Sequence, residues 1–141
     1  MNASEAQAEL IEEFRFLDGW MDRYQYLIDL GKALPPLAAA DKAPEHKLSG
    51  CQSQVWLIAE ERGDTLHFRA ASDAAIVSGL IAVLLRIYND RSPAEILATE
   101  PRFIRALGFD EHLSPTRSNG LAAMLGAIRG HASRAAHAAA E

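Results

Sequence analysis

Cysteine is almost absent from this 141-residue sequence, which contains only Cys51. A single cysteine cannot close a disulfide within the chain, whereas small proteins of oxidising compartments usually rely on several disulfides. The sequence therefore predicts a protein of a reducing compartment. In such a compartment a lone thiol is either inert core filler or a functional group.

Long hydrophobic runs and an excess of basic residues are also missing. The longest apolar stretch, residues 74–85, is interrupted by Ser78 and Gly79 and is shorter than the about 20 residues that cross a bilayer. Residues 1–13 carry acidic residues with no basic start, unlike a secretory signal. The net charge of −5 argues against nucleic acid or an anionic membrane as a partner. We therefore expect a soluble, cytoplasmic protein.

Nothing in the sequence divides the chain. It contains no repeat at a fixed period, no low-complexity linker and no block of like charge. Its length fits one domain, so residues 1–141 are predicted to fold as a single unit.

Apolar spacing predicts helices in the first part of the chain. Apolar residues recur at helical intervals over residues 10–17 and 20–28, and Gly31 is placed as a stop signal. Three prolines between residues 35 and 44 then predict a loop, because proline lacks the N–H that regular structure would use.

The period changes after the cysteine. Residues 66–70 alternate apolar and polar, residues 55–59 are densely apolar, and Gly63-Asp64 lies between them, which is typical of a β-hairpin. A short strand at about residues 46–49 is predicted to join the hairpin as a third. The expected fold class is α+β, with a small antiparallel sheet of about three strands flanked by helices.

Further helices are predicted downstream. Asp73 is a plausible N-cap for a helix over residues 74–89, whose apolar residues face most directions and should form the centre of the core. Ser92-Pro93 is typical of a helix start. Further helices are expected at about residues 101–107 and around residues 121–128, where apolar residues again recur at helical spacing.

Cys51 lies in the polar segment 49–54, with a glycine before it and strand-like stretches on both sides. This placement predicts a loop tip, whereas a structural cysteine usually sits within an apolar run. A half-buried inert thiol remains the alternative. A free thiol has a pKa of about 8.5, so a reactive one needs stabilisation of its thiolate.

Three kinds of group are candidates for that stabilisation. Backbone N–H groups around Gly50 and Ser53 form a possible anion nest, and Arg117 is our choice of a cation brought from elsewhere. His46, five residues before the cysteine, is positioned in sequence to orient or deprotonate it. The ordinary alternatives are a surface histidine and, for Arg117, a structural salt bridge.

The polar neighbours and a nearby aromatic complete the set of candidates. Gln52, Ser53 and Gln54 are expected to hydrogen-bond the thiolate or a partner, or else simply to be solvated. Trp56 is expected to line a hollow beside the loop, with plain core packing as the alternative.

Four segments together resemble one protein family. Residues 46–56, His-Lys-Leu-Ser-Gly-Cys-Gln-Ser-Gln-Val-Trp, resemble the active-site signature of the SufE proteins, sulfur acceptors of the bacterial Suf iron–sulfur cluster assembly system. Residues 26–37, 72–80 and 112–124 match the same family in order, so the resemblance covers nearly the whole chain. The signature is more similar to SufE than to its paralogue CsdE.

Two positions depart from the family pattern. Ala71 stands where a relative often has glycine, and Ser78 stands where one often has lysine or arginine. The resemblance therefore implies no cationic role at position 78 of this chain.

The resemblance implies a SufE/IscU-like α+β fold with the cysteine at a loop tip beside a hydrophobic hollow. The resemblance implies that Cys51 accepts sulfane sulfur from a persulfide on SufS, a cysteine desulfurase that uses pyridoxal phosphate. It also implies that the protein activates SufS. Cys51 would then pass the sulfur to the SufBCD scaffold, with no cofactor of its own. It also favours a homodimer. The expected supporting residues around Cys51 are His46, Gly50, Gln52, Ser53, Gln54, Trp56, Asp73 and Arg117.

Other functions are less consistent with the sequence. No second thiol is present to complete a thioredoxin-like or peroxide-reducing cycle. A Cys–His hydrolase would need one of five scattered histidines, and no spacing selects one; His131 and His137, in the last helix, are expected to be solvated. A metal or cluster site would need more soft ligands. A pure regulator, which activates its desulfurase by binding alone, is the alternative of a different class.

Overall fold

The computed structural model describes residues 1–50 and 53–140. Its helices and strands are, in chain order, α1 (Ala3–Arg15), α2 (Trp20–Lys32), β1 (Val55–Arg62), β2 (Thr65–Ser72), α3 (Ala75–Tyr88), α4 (Pro93–Ala98), α5 (Phe103–Ala106), α6 (Phe109–His112) and α7 (Pro115–Ala140). Two 3₁₀ turns, Ala39–Asp41 and Pro44–His46, lie between α2 and β1. Helices thus flank a small antiparallel sheet, and the predicted α+β class is confirmed.

The two strands form a tight hairpin. They pair antiparallel from Val55 opposite Ser72 to Arg62 opposite Thr65, so two residues make the turn. Gly63 is the first of them and has a φ of +63°, a backbone conformation that glycine adopts without steric penalty.

The sheet has two strands rather than about three. Within the described residues, the segment 46–49 contributes only an isolated bridge between Lys47 and Trp56 and a bond from the Leu48 N–H to the Val55 carbonyl (2.9 Å). The 3₁₀ turn ends at His46, which leaves too few extended residues for a ladder.

Helix α3 is the centre of the core, as its apolar composition predicts. It packs against α1, α2, β2 and α7, and its buried residues include Val77, Leu80, Ile81, Val83, Leu84, Ile87 and Tyr88. The remaining core comes from the apolar stripe of α1, the inward face of the hairpin, the predicted stripe of α7, and buried residues of α2 and α4–α6, namely Leu27, Ile96, Phe103 and Phe109.

Two glycines allow α2 and α3 to cross at very close range. A Cβ built on Gly79 would lie 2.2 Å from the Leu27 carbonyl oxygen, and one on Gly31 would lie 2.7 Å from the Gly79 nitrogen. The prediction that Gly31 stops the helix is therefore wrong: α2 runs through it to Lys32. Its small size serves the helix crossing instead.

Side chains cap the starts of α1 and α4. Asn2 and Glu5 form a capping box at the start of α1, with each side chain bonded to the other's backbone N–H. Ser92 caps α4 by accepting from the Glu95 N–H (3.1 Å), with Pro93 at the first helical position. The predicted helix start at Ser92-Pro93 is confirmed.

The last helix exposes less of one histidine than expected. His137 is exposed, but His131 is half-buried, and its ring packs edge-on against Phe68 with centroids 6.2 Å apart. Burial, together with the nearby positive charge of Arg134, lowers the pKa of His131. The expectation that His131 is solvated is therefore wrong.

Within the part of the chain that the structure describes, no helix combines the length and hydrophobicity that a membrane crossing requires.

Candidate functional site

Cys51 and Gln52 lie outside the described residues, so the site is defined by the residues around them. Gly50 has a φ of +86°, which favours glycine because a Cβ would be strained there. A Cβ built at this position would lie 3.8 Å from the Cβ of Ala123 in α7. The chain leading to the cysteine therefore runs beside that helix.

Ser53, two residues after the cysteine, lines a hollow of about 500 Å³. The other lining residues come from two helix starts: Ala74, Ala75, Ile76 and Val77 at the beginning of α3, and Ser114, Thr116, Arg117 and Gly120 at the beginning of α7. The walls are thus partly apolar, and both helices open onto the hollow with their N-terminal ends.

Two helix N-termini open onto one hollow, and each contributes a partial positive charge to it. Each helix carries a partial positive charge at its N-terminal end, from backbone N–H groups that have no partner within the helix. At α7 the Ser114 hydroxyl accepts from the Arg117 N–H (3.4 Å). At α3 no side chain among the described residues caps the helix. An anion in the hollow would be stabilised by both ends.

Arg117 adds a full positive charge to the same wall. Its side chain is half-buried, and its guanidinium carbon lies 5.8 Å from the centre of the Tyr24 ring. Within residues 1–50 and 53–140, Arg117 forms no ion pair. The alternative of a structural salt bridge is therefore not supported, and the guanidinium is available to an anion in the hollow.

Asp73 does not cap α3, contrary to the sequence prediction. The helix begins at Ala75 with Ala74 as its N-cap. Asp73 instead accepts from the Gln54 N–H through Oδ1 (3.0 Å), and its own N–H donates to the Gln54 carbonyl (3.3 Å). Because Gln54 ends the cysteine loop, this pair of bonds ties the loop to the start of α3.

His46 and Trp56 stand apart from the hollow. His46 closes the second 3₁₀ turn, where its N–H donates to the Ala43 carbonyl (3.0 Å). Trp56 is half-buried under Lys42, whose Nζ lies 5.5 Å from the centre of one indole ring. Neither is among the described lining residues, so the expectation that Trp56 lines the hollow is wrong. Alternation along β1 places it on the sheet face opposite Val55 and Leu57.

Two other histidines are also absent from the described lining of the hollow. His67 pairs with Asp90 (Nδ1 to Oδ1, 2.7 Å), and His112 stacks on Trp20 with ring centroids 4.2 Å apart. No group of three or more His, Cys, Asp or Glu side chains in the described residues is placed to hold a metal ion. That the protein needs no cofactor of its own stays a prediction.

Tyr24 is a site residue that sequence reasoning does not identify, and the sequence identifies Ser114 only as part of a helix start. The spacing of apolar residues assigns Tyr24 only to the apolar stripe of α2. Ser114 precedes Pro115, and this Ser-Pro pair is the same helix-start signal that identifies α4. That signal is sufficient to find the start of α7.

A protein-family model matches most of the chain. The model described as "SufE: Fe-S metabolism associated domain" matches residues 8–132. That range contains Cys51 and every described lining residue of the hollow.

Two relatives and one solved structure are similar over most of the chain. An uncharacterized SufE-like protein of Rhizobium etli is 45% identical over 126 residues, covering 86% of this chain and 85% of that protein. One from Rhizobium meliloti is 42% identical over 129 residues, covering 88% and 92%. The solution structure of a hypothetical protein from Thermus thermophilus superposes with a TM-score of 0.76 at 22% identity, covering 94% and 96%. This last likeness concerns the fold alone.

Proposed function

Because this chain belongs to the SufE family of Fe–S metabolism associated domains, we propose that it is a sulfur carrier for iron–sulfur cluster assembly. In this proposal Cys51 accepts a sulfane sulfur from a persulfide on the cysteine desulfurase SufS. It then passes that sulfur to the SufBCD scaffold.

One observation carries the proposal. The only cysteine of the chain lies in sequence between Gly50 and Ser53, and Ser53 lines the hollow where two helix N-termini and Arg117 converge. A thiolate and a terminal persulfide are both anions, and helix N-termini and arginine side chains lower thiol pKa values. The surroundings therefore favour the ionised forms that sulfur transfer uses.

The chemistry is a thiol–persulfide exchange. The Cys51 thiolate attacks the outer sulfur of the partner's persulfide, and a new S–S bond forms between that sulfur and Cys51. The S–S bond in the partner breaks, and its electron pair leaves with the partner's cysteine as a thiolate. No net oxidation or reduction occurs, so no other reactant is required.

The single thiol also sets what happens next. With no second cysteine in the chain, the persulfide on Cys51 cannot close into an internal disulfide and must wait for an acceptor protein. Removal of the sulfur frees the desulfurase for another turnover, which accounts for the proposed stimulation of SufS.

Such a carrier works in a reducing compartment, and we therefore propose the cytoplasm. The homodimer stays a prediction, which sedimentation would test.

Mass spectrometry tests the transfer directly. The protein is incubated with SufS, its pyridoxal phosphate and free cysteine, and we expect the intact mass to increase by one sulfur, on the peptide that contains Cys51. Dithiothreitol should remove the added sulfur as sulfide. Absence of the added sulfur under conditions of active turnover would contradict the proposal.

Cys51→Ser separates the carrier from a pure regulator. This variant should still bind SufS in a pull-down but should not stimulate sulfide release. If Cys51→Ser stimulates SufS as fully as the unmodified protein, the protein acts by binding alone and the carrier mechanism is refuted.

A further inference from the structure

Tyr24 of α2 contacts the start of α7 in two ways. Its hydroxyl donates a hydrogen bond to the carbonyl oxygen of His112 (2.8 Å). Its ring lies beneath the guanidinium of Arg117, with the guanidinium carbon 5.8 Å from the ring centre. One side chain therefore holds both the backbone that leads into α7 and the cation of its first turn.

Tyr24 is itself held by neighbouring rings. Trp20 lies one turn earlier on α2, with its ring centroid 5.5 Å from that of Tyr24, and it stacks on His112. A Cβ built on Gly108 would lie 3.1 Å from the Trp20 ring, and Gly108 has a φ of +77°. This close approach keeps the α5–α6 turn against the rings, so the position of Tyr24 is fixed on several sides.

Arg117 has little else to hold it. It lies in the first turn of α7, where the helix dipole does not favour a cation. It has no ion pair within the described residues. A flexible arginine loses side-chain entropy when it is ordered. The face of a tyrosine ring attracts the cation electrostatically and so offsets part of that loss.

We propose that Tyr24 is a positioning residue, which holds the Arg117 guanidinium at the wall of the hollow that Ser53 also lines, and that through Arg117 it raises the reactivity of the Cys51 thiol. The proposal rests on the proposed function, because it assigns a role within the same site. Tyr24 acts only through Arg117 and touches no reacting atom.

Other titratable and charged residues on the surrounding elements are left unchanged in every variant, so that each profile is compared over the same background titration. They are Asp73 on the turn before α3, Arg23 on α2, His46 and Lys47 before the cysteine, and His112 before α7.

Alkylation of Cys51 tests the proposal, since a single-cysteine protein reports only that thiol. The second-order rate with iodoacetamide is measured from pH 5 to 10. Arg117→Gln should move the midpoint of the profile up by about one unit, and the rate at pH 7 should fall by no more than about tenfold, because the more basic thiolate is also the better nucleophile. Tyr24→Leu removes the ring and should move the midpoint of the profile up by about half a unit, with a loss of rate at pH 7 of no more than about threefold. Tyr24→Phe keeps the ring and should restore most of the rate.

Two further variants separate positioning from stability. Tyr26→Leu removes a half-buried tyrosine two residues along α2, whose ring packs on Phe14 of α1, so it should lower stability but leave the alkylation profile unchanged. The double variant Tyr24→Leu/Arg117→Gln should react no more slowly than Arg117→Gln alone, because Tyr24 has no effect once Arg117 is gone. Circular dichroism verifies that each variant is folded at the assay temperature.

Three results would overturn the proposal. If the Tyr24→Leu profile equals that of the unmodified protein while the Arg117→Gln profile is shifted, the positioning role of Tyr24 is refuted and the proposed sulfur-carrier function is unaffected. Equal effects of Tyr24→Leu with and without Arg117 would show that Tyr24 acts by another route. If the Arg117→Gln profile is not shifted, the proposed roles of Arg117 and Tyr24 are both refuted. Sulfur uptake by the unmodified protein decides the proposed function separately.

Discussion

The crossing of α2 and α3 offers a sharp test of the packing described above. We propose to replace Gly79 of α3 by alanine, which adds a single methyl group. That methyl group would lie 2.2 Å from the carbonyl oxygen and 2.6 Å from the carbonyl carbon of Leu27, and 2.8 Å from the Leu27 Cβ. Because the obstacle is largely backbone, no side-chain rotation relieves the clash and the two helices must move apart.

Two opposing effects determine the size of the change. Alanine is favoured over glycine inside a helix by about 1 kcal/mol. Overpacking a tight core costs typically about 1–3 kcal/mol, and occasionally more. With a backbone contact this short, we place the packing loss at or above the upper end of that range. Gly79→Ala should therefore lower the free energy of unfolding by about 2 kcal/mol.

Gly126→Ala is the matched control. Gly126 lies in the interior of α7, and a Cβ built there meets nothing within 4 Å. The same glycine-to-alanine change should here raise the free energy of unfolding by about 0.5–1 kcal/mol, since only helix propensity and unfolded-state entropy change.

Urea unfolding followed by circular dichroism measures both variants. With a slope of about 2 kcal/mol per molar urea, Gly79→Ala should move the midpoint down by about 1 M, and Gly126→Ala should move it up by a fraction of that. If Gly79→Ala stabilises the protein as much as Gly126→Ala does, the close crossing of α2 and α3 is refuted.

Two further predictions concern polar interactions away from the hollow. The hydrogen bond from Arg86 is the largest cause that lowers the pKa of Glu13, followed by the bond from Tyr26, against the opposing effect of burial. A carboxyl group with a lowered pKa in the folded state stabilises the fold above its unfolded-state pKa, and this contribution is lost as the pH falls through its folded-state pKa. Glu13→Gln should therefore lower the free energy of unfolding by about 1 kcal/mol at pH 7 and by much less at pH 3. An equal loss at both pH values in urea unfolding would contradict this prediction. Asn89 accepts from the Phe68 N–H (2.6 Å) and donates to its carbonyl (3.2 Å), so Asn89→Ala should lose about 2 kcal/mol, whereas a variant that unfolds at the same urea concentration as the parent would show that water replaces both bonds.

Local patterns predicted most of the secondary structure because they depend on neighbours in the chain. The alternation over residues 66–70 and the Gly63-Asp64 turn predicted the hairpin. The helical spacing of α7 predicted its buried stripe. The prediction that Asp73 caps α3 is wrong because its carboxylate can accept a hydrogen bond either from the helix start or from the cysteine loop. It accepts from the Gln54 N–H, which belongs to another segment of the chain.

The glycines show the same division. From the sequence, Gly31 is interpreted as a helix stop and Gly79 as an interruption of an apolar run. A sequence pattern carries no information about which atoms of another helix approach a residue. The structure shows that Gly79 lies against the backbone of Leu27 and that Gly31 lies against Ser78 and Gly79, so a side chain fits at neither position. Trp56 and His131 were misplaced for a similar reason: which side of a strand or helix is covered depends on how distant segments pack.

The sequence by itself determined that one thiol is available, that it lies in a short polar segment before a hairpin, and that its surroundings match one family. These are properties of composition and of neighbouring residues. Only the tertiary structure decided that the starts of α3 and α7 meet at the same hollow, and that Tyr24 of α2 holds the Arg117 side chain there. The electrostatic environment of a thiol is a sum over groups that are distant in the chain, so it exists only after the helices have packed.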